Sequence, residues 1–334
     1  MSIMKKAIIF DCDNTLWQGV VGEDKIIHDT EIQQDILFFA HKGVIIGLCS
    51  KNNEQDVLDA LRGVLREEFI SVKRINWKDK VSNLKEIAQE LNIGLDAMVI
   101  VDDSEFEREL IKKQLPEVIA IHPKDLMITV LENFDLTGSI LKTQQYRANY
   151  QRAKAQEQFT DISEYLRSLD MVITVKLNDT SQIPRIAELT QKTNQFNLTT
   201  QRLTEADVKD LMIESKVYSL SVRDRFGDNG LTGVCIIVDW DAPEYGIIAV
   251  FLLSCRILGR GIEFAFMDAI MRDLKKSKYT HLYAEYIPTP KNKQVELFYP
   301  NLGFERCSGD KDEYVYCVDI LKYESKAAKH FCYE

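Results

Sequence analysis

The chain has 334 residues, 45% of them apolar, and carries a formal net charge of −10 at pH 7. That length points to two domains, each with enough apolar material for its own core. The acidic balance argues against non-specific nucleic-acid binding, and no run of about 18 uninterrupted apolar residues is present to cross a membrane.

Lys5-Lys6 followed by Ala7-Ile8-Ile9-Phe10 imitates the start of a signal peptide. Asp11 and Asp13 cut the apolar run short, so export is not expected. The seven cysteines (12, 49, 235, 255, 307, 317 and 332) include no CxxC pair and are odd in number. They read as reduced thiols of a cytoplasmic protein, not as a disulfide frame or a zinc site.

An apolar stretch that ends abruptly in Asp11-Cys12-Asp13-Asn14-Thr15 reads as the carboxyl end of a buried parallel strand. Alternate residues of an extended chain point the same way, so Asp11 and Asp13 can approach one substrate while Cys12 faces the core. Two such carboxylates repel unless a cation sits between them, which implies Mg²⁺ and phosphoryl chemistry. Residues 43–49 form a second apolar run, ending in Ser50-Lys51-Asn52-Asn53, and residues 97–101 a third, ending in Asp102-Asp103-Ser104. Asn76-Trp77-Lys78-Asp79-Lys80 leads into the helical pattern 81–91, and helical stretches at 31–41 and 54–65 separate the strands. This alternation predicts a doubly wound parallel sheet. Gly19 and Gly22 predict a small flap hairpin, because one helix and a turn leave no room for a large cap.

These motifs resemble the haloacid dehalogenase phosphatase superfamily. Its DxDxT motif is matched by Asp11, Asp13 and Thr15, its second motif by Ser50, its lysine motif by Lys80 and its acidic metal motif by Asp102-Asp103. The resemblance implies Asp11 as nucleophile, Asp13 as general acid/base, and Thr15, Ser50 and Lys80 as phosphate holders. It also implies Mg²⁺ on Asp11, Asp13, Asp102 and Asp103.

The polar stretch 141–160 reads as a connecting helix between a first domain, 1–140, and a second, 161–325, with 326–334 as a tail. The second domain shows strands at 172–177, 217–222, 232–238, 247–254, 281–286 and 314–318, with helices at 183–193 and 263–274. This is an α+β pattern, in which Asp228-Asn229-Gly230 reads as a hairpin turn. Arg256-Ile257-Leu258-Gly259-Arg260-Gly261 opens a helix and can present backbone N–H groups to a phosphate.

That turn, with Asn292, Val295, Tyr299, Gly303 and Phe304 downstream, resembles the GCN5-related N-acetyltransferase fold, Val295 replacing the usual alanine. The resemblance implies that Arg256, Gly259, Arg260, Gly261 and Asn292 handle a pantetheine-linked phosphate and that Tyr299 is a general acid. A tyrosine merely packed on the sheet is the alternative. Cys255, just before the turn, is a possible nucleophile, with Cys49 as its rival.

Asp11–Asp24, Cys49–Asn53, Lys192–Thr199 and Ser254–Glu263 together resemble the FkbH-like glyceryl transferase family. That resemblance implies transfer of a glyceryl group from 1,3-bisphosphoglycerate, a three-carbon acyl phosphate. The group passes through a thioester on Cys255 to the phosphopantetheine of an acyl carrier protein acting in trans. Asn194, Gln195 and Asn197 either line the acyl pocket or cap the preceding helix. A plain phosphatase with a partner-binding second domain, and a coenzyme A-dependent N-acyltransferase joined to a phosphatase, are the alternatives.

Overall fold

Ala7, Ile8, Ile9 and Phe10 are all fully buried, because the strand they form is covered on both faces. A computed structural model describes residues 4–62, 65–309 and 314–334. The chain divides into two compact units, Met1–Gln158 and Phe159–Glu334.

The first unit runs β1 (Ala7–Phe10), β2 (Trp17–Gln18), β3 (Ile27–His28), α1 (Thr30–His41), β4 (Ile45–Ser50), α2 (Glu54–Leu61), β5 (Val72–Ile75), α3 (Lys80–Leu91), β6 (Met98–Val101), α4 (Glu105–Gln114), β7 (Ile119–Ile121), α5 (Leu126–Asn133) and α6 (Ile140–Gln156). Its five-stranded sheet is parallel, in the order β5-β4-β1-β6-β7. The strand side chains alternate between two cores. Ile8 and Phe10 meet Ile36 of α1, Val57 of α2 and Val130 of α5, while Ala7 and Ile9 meet Leu84 of α3 and Ile111 of α4. This is the expected doubly wound arrangement. The chain crosses to opposite sides of β1, so the carboxyl end of β1 is a topological switch point, where such sheets open a crevice. The flap hairpin is present as β2 paired with β3, entered through Gly19 in the left-handed region (φ +95°).

The helix expected to connect the domains belongs to the first unit. Thr143 of α6 is fully buried and donates through Oγ1 to Ala40 O (3.0 Å) and Val44 O (3.2 Å), and Tyr146 and Tyr150 pack on the core beside α3. A few buried groups anchor this polar helix to the first unit.

The second unit contains α7 (Ile162–Ser168), β8 (Val172–Leu177), α8 (Ile183–Lys192), α9 (Glu205–Glu214), β9 (Lys216–Asp224), β10 (Gly227–Trp240), β11 (Ala242–Leu253), α10 (Ile262–Leu274), β12 (His281–Tyr286), α11 (Phe298–Asn301), β13 (Glu305–Gly309), β14 (Tyr314–Asp319) and β15 (Cys332–Tyr333). Its sheet has the order β13-β14-β12-β11-β10-β9-β8-β15 and is mixed, with β11 and β12 parallel.

Three expectations change here. The hairpin turns at Arg225-Phe226, where Gly227 pairs with Asp224; Asp228-Asn229-Gly230 is an irregularity inside β10, with Gly230 N bonded to Asp228 Oδ1 at 2.6 Å. Residues 326–334 are not a loose tail. Phe331 is buried, β15 pairs with β8, and buried Asp268 accepts from Tyr323 Oη (2.7 Å) and Ala327 N (3.0 Å). Finally, Cys307 and Cys317 form a disulfide, because antiparallel pairing of β13 with β14 brings their Cα atoms to 6.1 Å. Spacing along the chain does not reveal that register. No helix among the described residues is long and apolar enough to cross a membrane.

Candidate active site

Asp11 follows β1 directly, and its backbone N–H donates to Val101 O at 2.9 Å, so the ends of β1 and β6 are tied together. This brings Asp11 beside Asp102 and Asp103, which follow β6. Oxygens of the three carboxylates lie within 4.8 Å of one another. Lys80, the first residue of α3 after the capping residue Asp79, reaches in with Nζ 3.0 Å from Asp11 and 2.6 Å from Asp102. All three of these groups are buried.

Burial raises the Asp11 pKa to about 6, against the opposing pull of Lys80, with Asp102 adding to the rise and buried Ser50 at the end of β4 opposing it. The two carboxylates hold Lys80 above the usual lysine range despite its burial. Burial, then Asp102, raises Asp103. Thr15 Oγ1 is buried without a hydrogen-bond partner among the described residues. A lone buried hydroxyl is costly unless a ligand satisfies it, as an acceptor-rich phosphate would.

The expected set Asp11, Ser50, Lys80, Asp102 and Asp103 therefore converges. Asp13 departs from its assignment as a metal ligand. Its Oδ1 accepts from Trp17 Nε1 (2.9 Å) and Val21 N (3.0 Å) and its Oδ2 from Asn52 Nδ2 (2.6 Å), which leaves its carboxylate outside the three-carboxylate group. This geometry suits an acid/base residue held in a fixed orientation by the flap and by Asn52, in the loop after β4. Trp17 and Asn52 escaped the sequence reading, because their role arises only once the hairpin folds back over Asp13. The three remaining carboxylates form an all-oxygen donor set that fits a hard divalent cation.

Cation affinity is expected to fall with pH. Below about 6 a proton occupies Asp11, so the Mg²⁺ dissociation constant measured by calorimetry is expected to rise about tenfold per pH unit. A constant unchanged between pH 7.5 and pH 5 would contradict this ligand set.

In the second unit, Cys255 is exposed just after β11, while Cys235 there and Cys12 and Cys49 of the first unit are buried. Burial pushes the Cys49 thiol up to about 12, which disfavours its thiolate. Gly259 (φ +77°) and Gly261 (φ +72°) occupy the left-handed region, so the turn ahead of α10 requires glycine for its backbone path. Arg256 turns inward, donating through Nη2 to Asn229 O (2.7 Å) and Leu231 O (3.2 Å), and burial lowers its pKa to about 10. Arg260 Nη2 donates to Arg256 O at 2.9 Å, bracing the same turn.

Other expected residues are structural. Asn292 is fully buried; its Nδ2 donates to Asn197 O (2.9 Å) and Ile287 O (3.0 Å), and its Oδ1 accepts from Thr289 N (2.7 Å). Nothing of its amide is left for a cofactor, and this is a correction. Asn197 is likewise buried, with Nδ2 on Thr193 O and Oδ1 on Thr200 N, which resolves it as a helix-end cap. Asn194 Oδ1 accepts from Arg202, and Gln195 is exposed. The Tyr299 hydroxyl is buried without a partner among the described residues, and burial holds its pKa well above the usual phenol range. A packed ring fits this better than a proton donor to a solvent-side thiol. Glu263, in the first turn of α10, is a residue the sequence reading does not assign to the site; its Oε2 is buried without a partner among the described residues, and burial raises its pKa.

No protein-family model matches the chain, and no curated protein matches it. Among solved structures, 40% of the chain is 36% identical to the N-terminal part of BF1531 from Bacteroides fragilis, described as containing a phosphatase domain complexed with Mg, at a TM-score of 0.37. The match spans 41% of that chain. About 47% of the chain is similar to the ribosomal-protein-S18-alanine N-acetyltransferase of Escherichia coli, at 14% identity, 97% of that chain and a TM-score of 0.36. Some 45% is similar to Ard1 of Thermoplasma volcanium, at 17% identity, 99% of that chain and a TM-score of 0.36. Sheet order defines the class: a doubly wound, parallel α/β unit joined to an α+β unit built on a mixed sheet.

Proposed function

We propose that the chain is an FkbH-like glyceryl transferase. It takes a glyceryl group from 1,3-bisphosphoglycerate, removes the other phosphate at Asp11, and passes glycerate through Cys255 to the phosphopantetheine thiol of an acyl carrier protein. The observation that carries this reading is an exposed thiol, Cys255, directly before a glycine turn, in a chain that also holds a buried carboxylate–lysine cradle.

In the phosphatase step an Asp11 oxygen bonds to phosphorus as the ester P–O bond breaks, and Asp13 gives its proton to the departing alkoxide oxygen. Asp13 then takes a proton from the water that attacks the aspartyl-phosphate, which releases inorganic phosphate and restores Asp11. Lys80 and Ser50 hold the phosphoryl oxygens. Bound to Asp11, Asp102 and Asp103, Mg²⁺ supplies positive charge against those oxygens. In the acyl step the Cys255 sulfur bonds to the acyl carbon as the carbon–oxygen bond to phosphate breaks, and the thiol proton leaves with the phosphate. The carrier thiol then takes the acyl carbon, and its proton returns to Cys255.

Intact-protein mass spectrometry after addition of 1,3-bisphosphoglycerate and Mg²⁺ tests this. A glyceryl adduct in the native chain, absent from Cys255→Ala, is the expected result. Phosphate release with no adduct would leave only a phosphatase.

A further inference from the structure

β11 and β12 pair in parallel only from Tyr245/His281 to Ile248/Ala284 and then part. Two strands that part expose edge N–H and C=O groups, and an extended ligand ordinarily satisfies such groups by adding as a strand. Here a short segment of the chain takes some of these groups through a single bridge. Leu198 N donates to Phe251 O (3.1 Å) and Leu253 N to Phe196 O (2.9 Å), which places Asn197 opposite Leu252 as an antiparallel bridge. On the other side Ile287 N, just past β12, donates to Leu198 O at 2.8 Å. Thr199 Oγ1 donates to Ala249 O (2.7 Å), and Asn292 Nδ2 clamps Asn197 O.

Asn197 and Leu198 are completely buried, and the Phe196 ring packs edge-on against Phe298 at 5.3 Å. The segment leaves the cleft through Thr200, a β-branched residue in the left-handed region (φ +57°). Such a conformation is costly and persists only where the surroundings enforce it.

We propose that segment 196–199 is the specificity-determining element of the second unit. It occupies the cleft between β11 and β12 in place of an extended ligand, so a coenzyme A-type thioester does not pair with β11, and Cys255 is reached from its exposed side. The closure stands on the hydrogen bonds above; the statement about access to Cys255 rests on the acyl-carrying reading. The closure weighs against a coenzyme A-dependent N-acyltransferase. The carrier's phosphopantetheine arm is the same extended group, so on the acyl-carrying reading it too meets Cys255 from the exposed side without pairing with β11.

Hydrogen–deuterium exchange on the full chain, with and without coenzyme A or acetyl-coenzyme A at about 1 mM, tests the closure. The Leu198 amide reports directly, because a ligand lying along β11 would displace it from Phe251 O. Protection of Leu198 unchanged within about twofold upholds the closure, whether or not calorimetry detects binding elsewhere. A loss of about tenfold or more on adding either ligand overturns it. Asn292→Ala, which removes the clamp on Asn197 O, is expected to speed Leu198 exchange about tenfold. Unchanged exchange in a folded variant would refute the anchoring, and if the variant does not fold, the native-chain result decides. The Cys255 adduct is a separate readout, so either reading can fail alone.

Discussion

Asp11→Asn is expected to lower phosphate release by at least about 10³-fold while leaving the melting temperature within a few degrees of the native value. The amide cannot form a phosphoryl-enzyme, and it is a poor cation ligand. The fold tolerates the change for a specific reason. Burial already disfavours the charged form of Asp11, and Lys80 keeps its shorter contact, 2.6 Å, to Asp102. Release of phosphate from a simple phosphomonoester, followed alongside a circular dichroism melt, separates the two effects. Full activity in the asparagine variant would remove Asp11 as nucleophile.

Lys80→Met is expected to act on stability as well as on activity. Lys80 is the buried cation between Asp11 and Asp102, so its loss leaves two buried carboxylates without their compensating charge. Breaking a buried ion pair from one side costs about 3–5 kcal/mol, here a fall of roughly 10 °C in the melting temperature. Millimolar Mg²⁺ is expected to restore part of that loss in the variant, because a bound divalent cation replaces the missing positive charge. A melting temperature equal to the native one, with or without Mg²⁺, would show that the carboxylates are not held together as the structure places them.

Much of the first unit is legible in order along the chain. Short apolar runs ending in Asp11, Ser50 and Asp102 each announce a buried strand that delivers a polar group at its carboxyl end, and the structure assembles them at one place. What such runs leave open is how a carboxylate is engaged. Asp11 and Asp13 look alike in sequence, yet one faces Lys80 and Asp102 whereas the other is ringed by Trp17, Val21 and Asn52. That difference depends on the flap folding back, which no local spacing encodes.

The second unit shows the same boundary more sharply. Glycines at 259 and 261 mark the turn before α10 because only a residue without Cβ adopts positive φ cheaply. By contrast, Lys192 to Thr199 reads as a stretch that could line a pocket, and in three dimensions part of it makes an isolated antiparallel bridge to β11, with Leu198 O taken by Ile287 N just past β12.

The order of residues by itself therefore determined several of the strands and helices, the buried strands that end in Asp11, Ser50 and Asp102, and which cysteine precedes the glycine turn, since these follow from local periodicity and side-chain type. Only the tertiary structure decided that Asp13 stands apart from the three grouped carboxylates, that Cys307 joins Cys317, and that Asn197 lies opposite Leu252 of β11. Each of those depends on register between segments distant along the chain, and register is set by how the whole sheet packs.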